Sequence, residues 1–246
     1  HINAHETGAL ESVGHKCLTL PTSNGKITAK QVDTLIQEHY SDASSEHTVQ
    51  PGIVYISFPT ESGTLYSKQE LTELYTVCQN YNIPLFIDGA RLGYGLVAKK
   101  NDVTFEDIAN LCDVCYIGGT KVGALFGECI VILNDLYKKD FRYAIKQHGG
   151  MLAKGRMLGI QFEELFKDNR YLTISKHAID MADILTEGFQ SKGYHFYFPA
   201  ETNQLFPIFE NAKLEELSKE FAFTPWAKID ETHTAVRFVT SFATKR

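Results

Sequence analysis

The stretch FIDGARLGYG, residues 86–95, decides the fold. It contains the end of an apolar run, IPLFID (83–88), which has the length and composition of a buried strand and stops on Asp88. A second apolar run, DVCYIGG (113–119), stops on small residues shortly before Lys121. Near-continuous apolar strands separated by helical segments are typical of a mainly parallel sheet covered by helices on both faces. Because ligands bind beyond the carboxyl ends of such strands, we expect Asp88 and Lys121 to open into one crevice.

The alternation of strands and helices continues on both sides of this stretch. Further strands are predicted at KCLTLP (16–21), GIVYISF (52–58) and ECIVILN (128–134). Capping boxes that start at Thr28 and Ser67 predict helices at AKQVDTLIQEHY (29–40) and KQELTELYTVCQNY (68–81). After about residue 134 the pattern changes to two long helical segments, followed by shorter strands at YHFYF (194–198), NQLFPIF (203–209) and AVRFVTSF (235–242). We therefore predict an α/β protein with a large domain over residues 1–150 and a smaller C-terminal α+β domain over residues 151–246.

Composition and charge exclude several classes of protein. The chain has 246 residues, 43% of them hydrophobic and 22% charged, which indicates a globular protein. The net charge of -6 is spread along the chain, so we expect neither a nucleic-acid partner nor a membrane anchor. Five cysteines without framework spacing predict a reducing, cytoplasmic compartment. Cys112 and Cys115 form a lone C-x-x-C, which we interpret as two core thiols, and no metal site is predicted.

Lys121 is the first candidate for chemistry. Burial of an ammonium is costly, so a lysine that we expect to be buried on a Gly-rich turn either grips phosphate or reacts with an aldehyde. The stretch GGTKVG (118–123) lacks the spacing of a phosphate-gripping Walker motif. The remaining use is a Schiff base with pyridoxal phosphate, in which an acidic residue faces the pyridinium nitrogen. Asp88 fits that acidic role.

Five stretches together carry a family resemblance: HINAHETGA (1–9), PTESGTLYS (59–67), DGARLGYG (88–95), GGTKVGALFGE (118–128) and VRFVTSFAT (236–244). They resemble the threonine aldolase and β-eliminating lyase family, whose members have the fold type I architecture of pyridoxal-phosphate-dependent transferases, as in aspartate aminotransferase. The resemblance implies pyridoxal 5'-phosphate as the cofactor. It also implies that Lys121 forms the internal aldimine and that Asp88 meets the pyridine nitrogen.

The family pattern assigns further site residues. A histidine that stacks on the cofactor ring maps to His1, with His5 as the competitor for that place. Arg91 and Arg237 match the arginines that receive the substrate carboxylate, and Arg91 is expected to lie against the cofactor as well. A planar guanidinium suits this task because it can hold a carboxylate through two parallel hydrogen bonds.

Glu61 marks a departure from the family pattern. Many members carry a histidine at this place, which acts on the β-hydroxyl group of the substrate. A carboxylate can also serve as a general base. The identity of the base therefore stays open among His1, Glu61 and a bound water.

The resemblance implies a function and two alternatives. We expect low-specificity cleavage of L-threonine and L-allo-threonine, small amino-acid substrates, to glycine and acetaldehyde. One alternative is a pyridoxal-phosphate-dependent β-elimination from another amino acid, and the other is a non-catalytic, truncated homologue. The non-catalytic alternative arises because the family's Gly-Thr phosphate loop would precede His1 and its closing helix would follow Arg246. The resemblance further implies a homodimer or homotetramer with the active site at the interface.

Overall fold

A four-stranded sheet forms the centre of the structure, a computed structural model that describes residues 2–246. Its strands, in spatial order, are β1 (Val54–Ser57), β2 (Leu85–Gly89), β3 (Val114–Ile117) and β4 (Cys129–Ile132). The first three strands are parallel and β4 runs antiparallel to β3. The predicted α/β organisation with a mainly parallel sheet is therefore confirmed. The predicted stacking residue, His1, lies outside the described residues.

Strand register places three carboxyl ends at one edge of this sheet. Ser57 of β1 is paired with Asp88 of β2, and Asp88 is paired with Tyr116 of β3. A Cβ atom on Gly118, just after β3, would lie 2.1 Å from the carbonyl oxygen of Ala90, just after β2. Glycine is thus required where the chain leaves the two strands, since any side chain would push their ends apart.

Helices cover the sheet and continue towards the C-terminus. They are α1 (Ala9–Ser12), α2 (Ala29–Ser41), α3 (Lys68–Asn80), α4 (Leu92–Leu96), α5 (Phe105–Asn110), α6 (Phe141–Gln147), α7 (Arg156–Phe166), α8 (Arg170–Ser191) and α9 (Asn211–Leu217). The capping boxes predicted at Thr28 and Ser67 are present. In the described part of the chain, no helix combines the length and apolarity needed to cross a membrane.

A second, antiparallel sheet follows the long helix α8. Its strands are β5 (Gln204–Leu205), β6 (Ile208–Glu210), β7 (Thr224–Lys228) and β8 (His233–Val239), and β8 pairs with the other three. This sheet corresponds to the smaller C-terminal unit expected from the sequence. The boundary at residue 150 stays a prediction.

Two predicted strands do not form as expected, and one observed strand was not predicted. The stretch KCLTLP (16–21) forms no strand, and the carbonyl oxygen of Pro21 instead accepts a hydrogen bond from the Gln31 side chain at the start of α2 (2.8 Å). The stretch YHFYF (194–198) contributes a single bridge between Phe196 and Pro207. Strand β7 was missed because it contains Pro225, which is tolerated there since β7 pairs with β8 alone and lies at the edge.

Candidate active site

Asp88 lies at the carboxyl end of β2, and both of its carboxylate oxygens accept hydrogen bonds. One oxygen accepts a hydrogen bond from the backbone N–H of Ala90 (2.8 Å), and the other accepts one from the hydroxyl group of Tyr55 on β1. The Tyr55 ring is itself held in place, since it stacks on Phe86 with ring centres 5.3 Å apart. These two donors fix the position of the carboxylate, which can accept a further hydrogen bond from a cationic N–H group.

Tyr55 is a site residue that the sequence analysis missed. Burial raises the pKa of its phenol, and the neighbouring charge of Asp88 raises it further, so the hydroxyl group keeps its proton and acts as a donor. The one sequence signal is its place in the alternation of β1, two residues before the register partner of Asp88.

Lys121 lies in a short 3-10 turn, Thr120–Val122, directly after β3. The expectation that this lysine is buried is wrong, because its side chain is exposed. The turn explains the difference: it takes the chain out of the sheet at Gly119, so that Val122 points into the core and Lys121 points outward. The backbone carbonyl of Lys121 accepts a hydrogen bond from the hydroxyl group of the buried Tyr94 on α4, which holds the turn in place. Among residues 2–246, no carboxylate forms an ion pair with the Lys121 ammonium.

Arg91 and Glu61 form an ion pair that the sequence did not predict. A guanidinium nitrogen of Arg91 lies 2.9 Å from a carboxylate oxygen of Glu61, and the two side chains are 12% and 22% exposed. The loop that carries Glu61 is held from the second sheet, because the amide nitrogen of Gln204 approaches the carbonyl oxygens of Thr60 (3.3 Å) and Glu61 (3.4 Å). Glu61, a candidate base, and Arg91, a candidate for binding the substrate carboxylate, are therefore paired with each other.

Arg237 lies on β8, with its guanidinium over the ring of Trp226 at 5.6 Å from the ring centre. Its Nε atom is buried and has no hydrogen-bond partner among the described residues. Gln204 is paired with Val239. Arg237 precedes Val239 by two residues in β8, so Arg237 and Gln204 lie on the same face of this sheet. Gln204 therefore links the strand of Arg237 to the loop of Glu61. In the part of the chain that the structure describes, no hydrogen bond or ion pair joins Arg237 directly to Arg91 or Glu61.

The structure also locates the other candidates named from the sequence. His5 is exposed. Cys112 and Cys115 are 2% and 3% exposed and lie in the core, Cys112 just before β3 and Cys115 within it. Within the described residues, no group of three or more His, Cys, Asp or Glu side chains is arranged to hold a metal ion.

Comparisons with known proteins give a family match over most of the chain. Residues 1–212 match the family described as beta-eliminating lyase. A low specificity L-threonine aldolase of Pseudomonas sp. is 31% identical over 223 residues, which cover 88% of this chain and 62% of the relative. The solved threonine aldolase of Leishmania major is 44% identical with a TM-score of 0.95, over 100% of this chain and 70% of that chain.

A more distant solved structure shares the fold. The aspartate aminotransferase of Thermus thermophilus is 15% identical with a TM-score of 0.57, over 81% of this chain and 55% of that chain. The predicted fold type I architecture is confirmed by these likenesses. The chain spans about 62% of the length of the curated Pseudomonas relative.

Proposed function

Because the chain belongs to the beta-eliminating lyase family, we propose that the protein is a pyridoxal-phosphate-dependent carbon–carbon lyase. The reaction is the low-specificity cleavage of L-threonine and L-allo-threonine to glycine and acetaldehyde. Similarity to proteins named threonine aldolase in Pseudomonas and Leishmania supports this assignment.

One observation carries the proposal: a fixed carboxylate lies at the carboxyl end of β2, and an amine lies in the turn just after the adjacent parallel strand β3. Pyridoxal phosphate, when bound, supplies an aldehyde for covalent attachment and a ring that withdraws electrons from the Cα atom of the substrate. The residues present fit this group. Lys121 offers an exposed amine without a carboxylate partner among residues 2–246, and Asp88 offers a carboxylate held by two donors.

Each candidate residue then has a defined task. Asp88 holds a proton on the pyridine nitrogen, Lys121 anchors the aldehyde carbon, and Arg91 with Arg237 binds the substrate carboxylate. Arg237 has a donor free for this, since its buried Nε has no partner among the described residues. An unsatisfied buried donor costs about 1–3 kcal/mol, which an incoming carboxylate would recover.

The task of Glu61 follows from its ion pair with Arg91. Its carboxylate lies 2.9 Å from the guanidinium, so we assign it to the orientation of Arg91 rather than to free base catalysis. Proton transfer at the β-hydroxyl group is then left to the ring-stacking histidine proposed at His1 or to a bound water.

Product analysis separates the proposed reaction from its alternatives. Full-length protein supplied with pyridoxal phosphate and L-threonine should release glycine and acetaldehyde in equal amounts. The Lys121→Ala variant should be inactive with an unchanged thermal unfolding temperature, and Asp88→Asn should bind cofactor but lose most of the rate. Release of ammonia and a 2-oxo acid, from L-threonine or from another amino acid of a test panel, would establish β-elimination. The absence of any product from the whole panel would establish a non-catalytic homologue.

We also propose that the active site is completed by a second copy of the chain, as a homodimer or a dimer of dimers. Apolar side chains beside the Lys121 turn support this, since Leu125 is 87% exposed, Phe126 48% and Ile130 43%. Dilution should therefore reduce activity and cofactor content together. Sedimentation of the full-length protein over a wide concentration range tests this, and a fully active monomer would refute it.

A further inference from the structure

Lys121 lies in a loop of residues 119–128, and the Glu128 side chain joins the two ends of this loop. One carboxylate oxygen accepts a hydrogen bond from the backbone N–H of Gly119. The other accepts bonds from the hydroxyl group of Thr120 and from its backbone N–H, the latter at 3.3 Å. All of these donors belong to the two residues that directly precede Lys121.

Two glycines allow the ends of this loop to meet. Gly127 has φ of +85°, a left-handed conformation that turns the chain back just before Glu128. At Gly119, an added Cβ atom would lie 2.8 Å from the ring of Phe162 and 2.9 Å from the carbonyl oxygen of Gly127. The close approach of residues 119 and 127 therefore depends on the missing side chain of Gly119 and on the left-handed backbone of Gly127.

The far side of the loop is held separately by α7. The side-chain oxygen of Gln161 accepts a bond from the Leu125 N–H (2.7 Å), and its nitrogen donates to the Phe126 carbonyl (3.0 Å). Lys121 lies between these two attachments, next to the one made by Glu128. The two peptide units before Lys121 are thus held by Glu128, and the carbonyl of Lys121 itself is held by the Tyr94 hydroxyl group.

We propose that Glu128 is a positioning residue for Lys121: it fixes the preceding peptide units so that the amine meets the cofactor aldehyde. This inference rests on the proposed function. Hydrogen bonds to an ionised carboxylate are roughly twice as strong as neutral ones, so they hold the turn in one geometry. Covalent attachment is sensitive to such geometry, because a misplacement of about 1 Å can slow a reaction by about a hundredfold.

The rate of covalent attachment tests the proposal without relying on turnover. Full-length protein freed of cofactor is mixed with excess pyridoxal phosphate, and the visible absorbance band of the lysine-bound form is followed. Borohydride then makes the attachment permanent, and mass spectrometry gives the fraction on Lys121. Glu128→Gln, which removes the charge, should slow attachment by about tenfold. Glu128→Asp, which keeps the charge on a shorter chain, should be intermediate.

A matched control is available on the neighbouring helix. Glu163→Gln makes the same chemical change at an exposed position of α7 and should attach cofactor at the wild-type rate. If Glu128→Gln attached cofactor at the wild-type rate and yield, the inference would be overturned.

A second variant covers a failure of Glu128→Gln to fold. Thr120→Val removes one donor and leaves the carboxylate in place, so it should slow attachment severalfold with an unchanged circular dichroism spectrum. Wild-type rates in both Thr120→Val and Glu128→Asp would also overturn the inference. If the wild-type protein itself formed no lysine-bound band, the proposed function would fail, whereas equal rates in wild type and variants would refute the role of Glu128 alone.

Discussion

Replacement of Glu61 by glutamine distinguishes an orienting partner of Arg91 from a free catalytic base. The two charged groups lie 2.9 Å apart, with side chains 12% and 22% exposed. Removal of one member of a fully buried pair costs about 3–5 kcal/mol, because the other charge is left uncompensated. Both side chains here keep some contact with solvent, so we expect Glu61→Gln to lower the free energy of unfolding by about 2–3 kcal/mol.

Urea unfolding with a double-mutant cycle measures this quantity. Unfolding midpoints of the wild type, Glu61→Gln, Arg91→Met and the double variant give the coupling between the two side chains, which we expect to be about 2 kcal/mol. Glu163→Gln, at an exposed position, should change the free energy of unfolding by less than about 0.5 kcal/mol. A Glu61→Gln variant as stable as the wild type, or a cycle with additive effects, would contradict an orienting role and favour Glu61 as a base.

Three further predictions concern the surroundings of the site and the fold. Tyr55→Phe removes the hydroxyl donor to Asp88, so a titration should show cofactor affinity lower by about tenfold, and unchanged affinity would refute the contact's importance. Gly118→Ala places a Cβ atom 2.1 Å from a backbone oxygen and should lower the free energy of unfolding by about 2 kcal/mol or more, whereas a neutral effect in thermal unfolding would refute the close approach. Hydrogen bonds from Lys68 and from Thr104 lower the pKa of Asp107 from 3.8 to about 2, so the stability that these contacts contribute is nearly complete above pH 4 and is lost as the pH falls through 2. Asp107→Asn should therefore unfold at a lower temperature than wild type at pH 6 and at a similar temperature at pH 2, and a constant difference would contradict this.

Local patterns were sufficient to predict the four strands of the main sheet and helices α2 and α3, although they also predicted a strand at residues 16–21 that does not form. The capping boxes at Thr28 and Ser67 depend on residues three positions apart, so they are visible in the sequence. The position of Asp88 can also be predicted from local sequence, because a buried apolar run ends on it. Ligands of parallel sheets bind beyond the carboxyl ends of the strands, where such a residue lies. These arguments use short-range periodicity alone.

Contacts between distant parts of the chain could not be predicted in the same way. Glu61 and Arg91 are 30 positions apart, and Tyr55 and Asp88 are 33 apart, so neither pair leaves a periodic signal. The contact of Gln204 with the Glu61 loop spans 143 positions and requires the second sheet to be in place.

The exposure of Lys121 shows a different limit of sequence reasoning. The apolar run before it predicts burial, but the 3-10 turn begins one residue earlier and reverses the direction of the side chain. The edge strand β7 was missed for a comparable reason, since Pro225 argues against a strand unless its place at the sheet edge is known.

A crystal structure of the full-length protein with pyridoxal phosphate tests the central claim most directly. The account predicts continuous density between the cofactor's aldehyde carbon and Nζ of Lys121, with the pyridine nitrogen about 3 Å from the Asp88 carboxylate. A cofactor bound through another lysine, or with its ring nitrogen away from Asp88, would contradict it.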